Sequence, residues 1–223
     1  MTEHGPLALV GGCEWSEGCT FDAALMAESG TTDVLVLPTA AAYEHAERKV
    51  EQAEEHFTKI GAKVRGLMVL HRHEAEEEAN ANVVRKSRFV YLSGGSPMHL
   101  RSVLKDSALW DAILDAWHGG AVLAGSAAGA MVLCDPMVDP RGGAFTLGLG
   151  LLPRMALIPH HDTWSTEKAK RTITLAPARL PIVALDEQTA LIRRPDTSWV
   201  VEGAGKAVVF LDGQEAGLDA LPT

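Results

Sequence analysis

The stretch Gly119-Gly-Ala-Val-Leu-Ala-Gly125-Ser-Ala-Ala-Gly129-Ala-Met-Val-Leu-Cys134 joins two apolar runs through a turn made only of Gly, Ala and Ser. An apolar strand that meets such a turn and continues into an apolar helix is the setting of a nucleophile elbow, Gly-x-nucleophile-x-Gly. The glycines let the chain reverse sharply and hold the central side chain at the start of the helix, where free N–H groups and the helix dipole favour a developing anion. Here Gly125 and Gly129 bracket Ala127, and Ser126 stands one position early. A shift of one residue through a tight turn aims a side chain elsewhere, so the spacing predicts an elbow whose nucleophile is absent. The same residues also suit a plain strand–helix turn, and the neighbouring segments decide between the two.

Working outward, short apolar runs alternate with helical patterns. Leu7–Val10, Asp33–Leu37, Val64–Leu70, Arg88–Leu92 and Ala121–Ala124 read as buried strands. Tyr43–Ile60, Glu74–Val84, Met98–Val103 and Leu109–Trp117 read as helices. This alternation predicts a parallel sheet covered on both faces. After about residue 155, Met155–Pro159, Ile182–Leu185, Ala190–Ile192, Trp199–Val201 and Ala207–Leu211 read as further strands of the same sheet. No linker, repeat or low-complexity tract interrupts the pattern, so residues 1–223 read as one domain.

Three strand ends carry chemistry-bearing residues. Ser93-Gly94-Gly95-Ser96 closes a strand before a helix, and its N–H groups suit an oxyanion. Ile158-Pro159-His160-His161-Asp162 places two histidines at a strand end, and His is the usual base for a Ser or Cys nucleophile. Asp186-Glu187 lies between two strands, where an acid can orient a histidine.

The 223 residues carry 20 Lys+Arg against 29 Asp+Glu, a net charge of -9, with 47% hydrophobic residues. A globular fold with a sizeable core follows, and a nucleic-acid partner is disfavoured for want of clustered cations. No apolar run is long enough for a bilayer, and Met1-Thr-Glu-His-Gly-Pro lacks the basic start of a leader. Cys13, Cys19 and Cys134 form no CxxC pair, so reduced thiols and a cytoplasmic setting are expected. No dinucleotide or phosphate-loop pattern is present, and no cofactor is expected. His71-Arg-His73-Glu74 lacks a clear third ligand and reads as a solvated strand end, leaving no metal site expected.

Taken together, these segments resemble the serine peptidase family that contains cyanophycinase and dipeptidase E. The resemblance runs through Val10-Gly11-Gly12, Leu37-Pro38-Thr39-Ala40, Tyr91-Leu92-Ser93-Gly94-Gly95, Ala124–Ala130, Ile158-Pro159-His160 and Leu185–Leu191. It implies a class I glutamine amidotransferase-like (flavodoxin-like) fold, a three-layer α/β/α sandwich with a mostly parallel central sheet. It implies a peptidase or amide hydrolase acting on a small peptide or amide, with relatives that cut beside aspartyl residues. It places Ala127 at the nucleophile, His160 as base and Glu187 as the acid, with Asp162 or Asp135 as other acids. Gly94, Gly95 and Ala128 become the oxyanion donors. Ser96, Ser126, His161, Asp162 and Trp164 become substrate contacts, and Arg141, Arg171 and Arg179 candidate carboxylate clamps. A homodimer is implied by the resemblance alone. The alanine admits three readings: an engineered Ser→Ala exchange in an active hydrolase, a natural pseudoenzyme that binds without cutting, or a replacement nucleophile at Ser126 or Cys134.

Overall fold

The computed structural model describes residues 4–222; Met1–Glu3, read above for a leader, and Thr223 lie outside the described residues. Among the described residues eleven strands build the two main sheets, numbered here in chain order, and four two-residue strands pair outside them. The eleven are β1 (Leu7–Val10), β2 (Asp33–Leu37), β3 (Lys63–Gly66), β4 (Phe89–Leu92), β5 (Val122–Ser126), β6 (Ala156–Ile158), β7 (Ile182–Leu185), β8 (Thr189–Arg193), β9 (Trp199–Gly203), β10 (Ala207–Leu211) and β11 (Gln214–Ala216). The larger sheet has the order β9-β8-β1-β5-β4-β2-β3. From β1 to β3 every pairing is parallel, while β8 and β9 add antiparallel strands at one side.

Helices cover both faces, as a parallel sheet requires. They are α1 (Phe21–Ser29), α2 (Ala46–Lys59), α3 (Arg72–Ala75), α4 (Glu78–Arg85), α5 (Pro97–Leu104), α6 (Ala108–His118), α7 (Ala128–Leu133) and α8 (Thr166–Thr174). The central strands are buried along their whole length, and alternate residues feed two cores. Leu9, Leu92 and Leu123 pack on one side, and Ala8, Tyr91 and Ala124 on the other. This is the three-layer α/β/α arrangement expected from the sequence. Among the described residues no helix is long and apolar enough to cross a membrane.

Four expectations need correction. The late strands do not all extend one sheet: β6-β7-β10-β11 forms a second, four-stranded sheet. The chain crosses between sheets at Asp186-Glu187-Gln188, where Gln188 takes a positive φ of 55° and β8 leaves β7 for β1. Val64–Leu70 is not one strand. Pairing stops at Gly66, and Leu67 and Val69 are apolar because they enter the core from a loop. The acidic helix over Glu74–Val84 is two pieces, α3 and α4, with Glu77 extended between them. His71 opens α3 in a capping box with Glu74 rather than closing a strand.

Candidate active site

The carboxyl ends of β1, β4 and β5 lie side by side, with Leu9 opposite Gly125 and Leu92 also opposite Gly125. Loops leaving these ends converge, as in open parallel sheets generally. After β5 the chain makes the elbow. Ala127 has φ 46° and ψ -103°, a strained conformation for a residue with a Cβ. Its N–H donates to the Val10 carbonyl at 2.9 Å, and its own carbonyl accepts from Met131 N–H at 2.8 Å to open α7. Both glycines are needed for this reversal. A Cβ on Gly125 would lie 2.6 Å from Gly129 backbone, and one on Gly129 would lie 2.4 Å from the Leu92 carbonyl oxygen.

His160 follows β6 and Glu187 follows β7, so the second sheet delivers both. His160 Nδ1 lies 2.7 Å from Glu187 Oε1. An Nδ1–H donated to the carboxylate leaves Nε2 as the lone-pair nitrogen, the form a general base needs. The His160 backbone N–H donates to Gly11 O at 2.7 Å. The imidazole lies against Gly12, where an added Cβ would be 2.1 Å from its Cε1. Glu187 also accepts from the Cys13 thiol at 2.9 Å and from Thr163 Oγ1 at 3.4 Å. The Cys13 hydrogen bond is the main reason Glu187 is held below the usual carboxylate range, with the His160 contact adding to it. In return Glu187 pushes the Cys13 thiol up to about 11.

The other two acids are engaged elsewhere. Asp162 Oδ1 accepts the Glu187 backbone N–H at 3.0 Å and so braces the acid that meets His160. Asp135 Oδ1 accepts from Gly148 N–H.

A second carboxylate, missed in the sequence, ties the site together. The side chain of Glu14 is buried and accepts from Ser126 Oγ at 2.8 Å, Gly94 N–H at 3.1 Å and Lys49 Nζ at 3.0 Å. Burial alone would raise its pKa, but the Lys49 charge and these hydrogen bonds outweigh it and hold the carboxyl below its ordinary range. Glu14 thus links the elbow, the β4 turn and α2. The Gly-Gly turn after β1 was the available signal, since it sends residues 13–16 to the carboxyl end of the sheet.

The sequence-predicted residues separate accordingly. Ala127, His160, Gly94 and Gly95 line one cavity of about 620 Å³, with Cys13, Glu14 and one face of α2. Its volume suits a small organic or peptide ligand. Gly94 N–H is committed to Glu14, whereas no described residue accepts from Gly95 or Ala128 N–H. Ser126 is fully buried and points at Glu14 rather than into the cavity. Ser96 caps α5, accepting from His99 N–H.

His161, Asp162 and Trp164 line a different cavity, beside α8. There His161 approaches Asp186 and the Trp164 ring carries Lys168 Nζ 3.7 Å above it. Arg141 pairs with Asp139, and none of Arg141, Arg171 and Arg179 lines the elbow cavity. Cys134 is buried, and its thiol is pushed up to about 12. No cluster of three metal-binding side chains occurs among the described residues.

The sheet defines a class: flavodoxin-like proteins with a mostly parallel central sheet flanked by helices. Within it, the chain belongs to peptidase family S51, whose model matches residues 9–200. The cyanophycinase of Geminocystis herdmanii is 28% identical over 172 residues, covering 71% of this chain and 62% of that one. The cyanophycinase of Thermosynechococcus vestitus is 27% identical over 165 residues, covering 69% and 51%. The chain therefore spans only about half to three fifths of the length of these relatives. A crystal structure of a peptidase from an acI-B1 Actinobacterium matches with a TM-score of 0.85 at 28% identity, covering 96% of this chain and 94% of that one. A putative peptidase E from Listeria monocytogenes shares the fold, with a TM-score of 0.70 at 18% identity and coverage of 91% and 100%.

Proposed function

We propose that this fold carries a serine-type amide-hydrolase site for small aspartyl peptides or amides, disabled by alanine at position 127, so that the chain binds its substrate without cutting it. The observation that carries this reading is the strained elbow conformation of Ala127, in one cavity with a His160 that is hydrogen-bonded to Glu187. Strain of this kind persists where a site over-determines it. An alanine gains nothing from being presented this way.

With serine at 127, the hydroxyl oxygen would attack the amide carbonyl as His160 Nε2 takes its proton. The tetrahedral oxyanion would sit between the N–H groups of Gly95 and Ala128. Collapse would pass the proton from His160 to the leaving amine, and water would then release the acyl group by the reverse use of the same residues. Glu187 keeps the proton on Nδ1 and stabilises the imidazolium that forms. Alanine removes only the attacking oxygen, so ligand contacts survive.

The test is hydrolysis of an aspartyl-peptide panel by the chain and by its Ala127→Ser variant. The variant is expected to cleave at least about 10⁴-fold faster, the scale of a lost triad member. If neither protein cleaves any peptide, the natural pseudoenzyme takes the place of this reading.

A further inference from the structure

The cavity at the elbow continues well past the reacting bond. Its long wall is α2, whose apolar side, Ala46, Ala53 and Phe57, faces the core. The adjoining side presents Lys49, Gln52, His56 and Lys59 to the cavity. These residues recur at helical spacing and run from Lys49, paired with Glu14 beneath the elbow, to Lys59 at the last residue of the helix. Ten residues of helix cover about 15 Å. Trp15, Ser16, His56 and Lys59 are shared with an adjoining lobe of about 550 Å³ that reaches Ala23 and Ile60.

A dipeptide bound with its amide at Ala127 would leave most of this groove to water. An extended chain advances about 3.3 Å per residue, so about four to five residues match the stretch of α2 from Lys49, which Glu14 ties to Ser126 beside the elbow, to Lys59. Lys49 is committed to Glu14, whereas Lys59 enters none of the ion pairs among the described residues. The other outer charges are acidic: Glu44 and Glu55 in the first lobe and Glu17 in the second. They disfavour acidic side chains along the way and leave Lys59 as the unpaired cation.

Building on the peptide-binding reading, we propose that the natural ligand is an oligopeptide of about four to five residues. It lies extended along α2, with its free carboxylate at Lys59. The elbow and the end of α2 are then two ends of one site, and ligand length is selected by the distance between them.

The experiment is calorimetric titration of the chain as it stands, which cannot consume the peptide through a serine at 127. The probes run from Asp-Ala to Asp-Ala-Ala-Ala-Ala, each with a free or an amidated carboxyl end. Affinity is expected to rise at least tenfold from the dipeptide to the pentapeptide, and amidation of the pentapeptide is expected to remove most of that rise. In Lys59→Gln the free and amidated pentapeptides should bind alike. A structural role for Lys59 would weaken both forms equally and leave their ratio unchanged. Equal affinity of dipeptide and pentapeptide overturns the length proposal while leaving peptide binding intact. An unchanged preference for the free pentapeptide in Lys59→Gln overturns the anchor. Absence of binding by every probe overturns this inference and the peptide-binding reading together.

Discussion

Cys13 is kept a thiol by the carboxylate that also orients His160. Thiolates, not thiols, react with alkylating agents, and the hydrogen bond to Glu187 holds Cys13 at about 11. In Glu187→Ala that hydrogen bond and charge are gone, and the pKa falls toward the ordinary 9.0. Alkylation of Cys13 by iodoacetamide at pH 8 is then expected to quicken by about tenfold or more. Peptide mapping by mass separates it from buried Cys19 and Cys134; an unchanged rate would remove Glu187 as the cause. At this scale the sequence was legible where residues fell into a motif: Ala127 by its place between two glycines, His160 and Glu187 by their strand ends. Glu14 was legible only in its place after the Gly-Gly turn, not in its role. A single acid after a Gly-Gly turn has no period, and its partners Ser126, Gly94 and Lys49 are far away in sequence. Ser126 was misread for the same reason, since only the fold reveals the carboxylate beneath it.

Strands held their predicted places where they run through the centre of the sheet. Leu7–Val10, Asp33–Leu37 and Ile182–Leu185 match their expected bounds, because continuous apolar character there reflects burial on both faces, and Ala207–Leu211 matches although most of it is only half-buried. Apolar character failed as a guide at Leu67–Val69, which is buried without strand pairing. Helices α1 and α8 went unread. Helix α1 lacks a side-chain cap and mixes apolar and polar residues around its circumference; α8 is mostly polar, with Ala169 and Thr172 as its buried residues. The close approach of two elements gives a test. The β1 turn passes beneath His160 at Gly12, whose φ is 128° and whose added Cβ would enter the imidazole. Gly12→Ala is expected to cost about 2 kcal/mol in urea unfolding, through both strain and displacement of the ring. It should also abolish hydrolysis in the Ala127→Ser background. Wild-type stability with full activity would show that His160 does not rest on this turn.

Across the molecule, the larger sheet supplies the elbow and the smaller one supplies His160 and Glu187, so the site exists only where the two meet. The alternation of strands and helices made the first sheet legible. The second depends on a three-residue crossing after β7, and nothing in the composition marks it. The Glu14–Lys49 pair makes the assembled fold sensitive to pH. Because Glu14 is held below its unfolded value of about 4.5, the pair adds stability above that pH and loses it as the pH falls through the lower, folded value. Lys49→Met leaves the buried carboxylate alone, with an expected loss of about 3 kcal/mol at pH 7. The sign then reverses: with its pKa raised, Glu14 makes the variant less stable as pH rises above about 4.5. Urea melts from pH 4 to 8 would show opposite slopes for the two proteins from this group, and parallel curves would contradict the pairing.

The central claim, that position 127 is the nucleophile's place in an otherwise complete site, is tested most directly by covalent labelling. The chain and its Ala127→Ser variant would each be treated with a serine-directed fluorophosphonate and weighed intact. The account predicts one added label on the variant, at residue 127 and lost again in Ala127→Ser/His160→Ala, with none on the chain as it stands. An unlabelled variant, or a label on Ser126 of the unchanged chain, would contradict it.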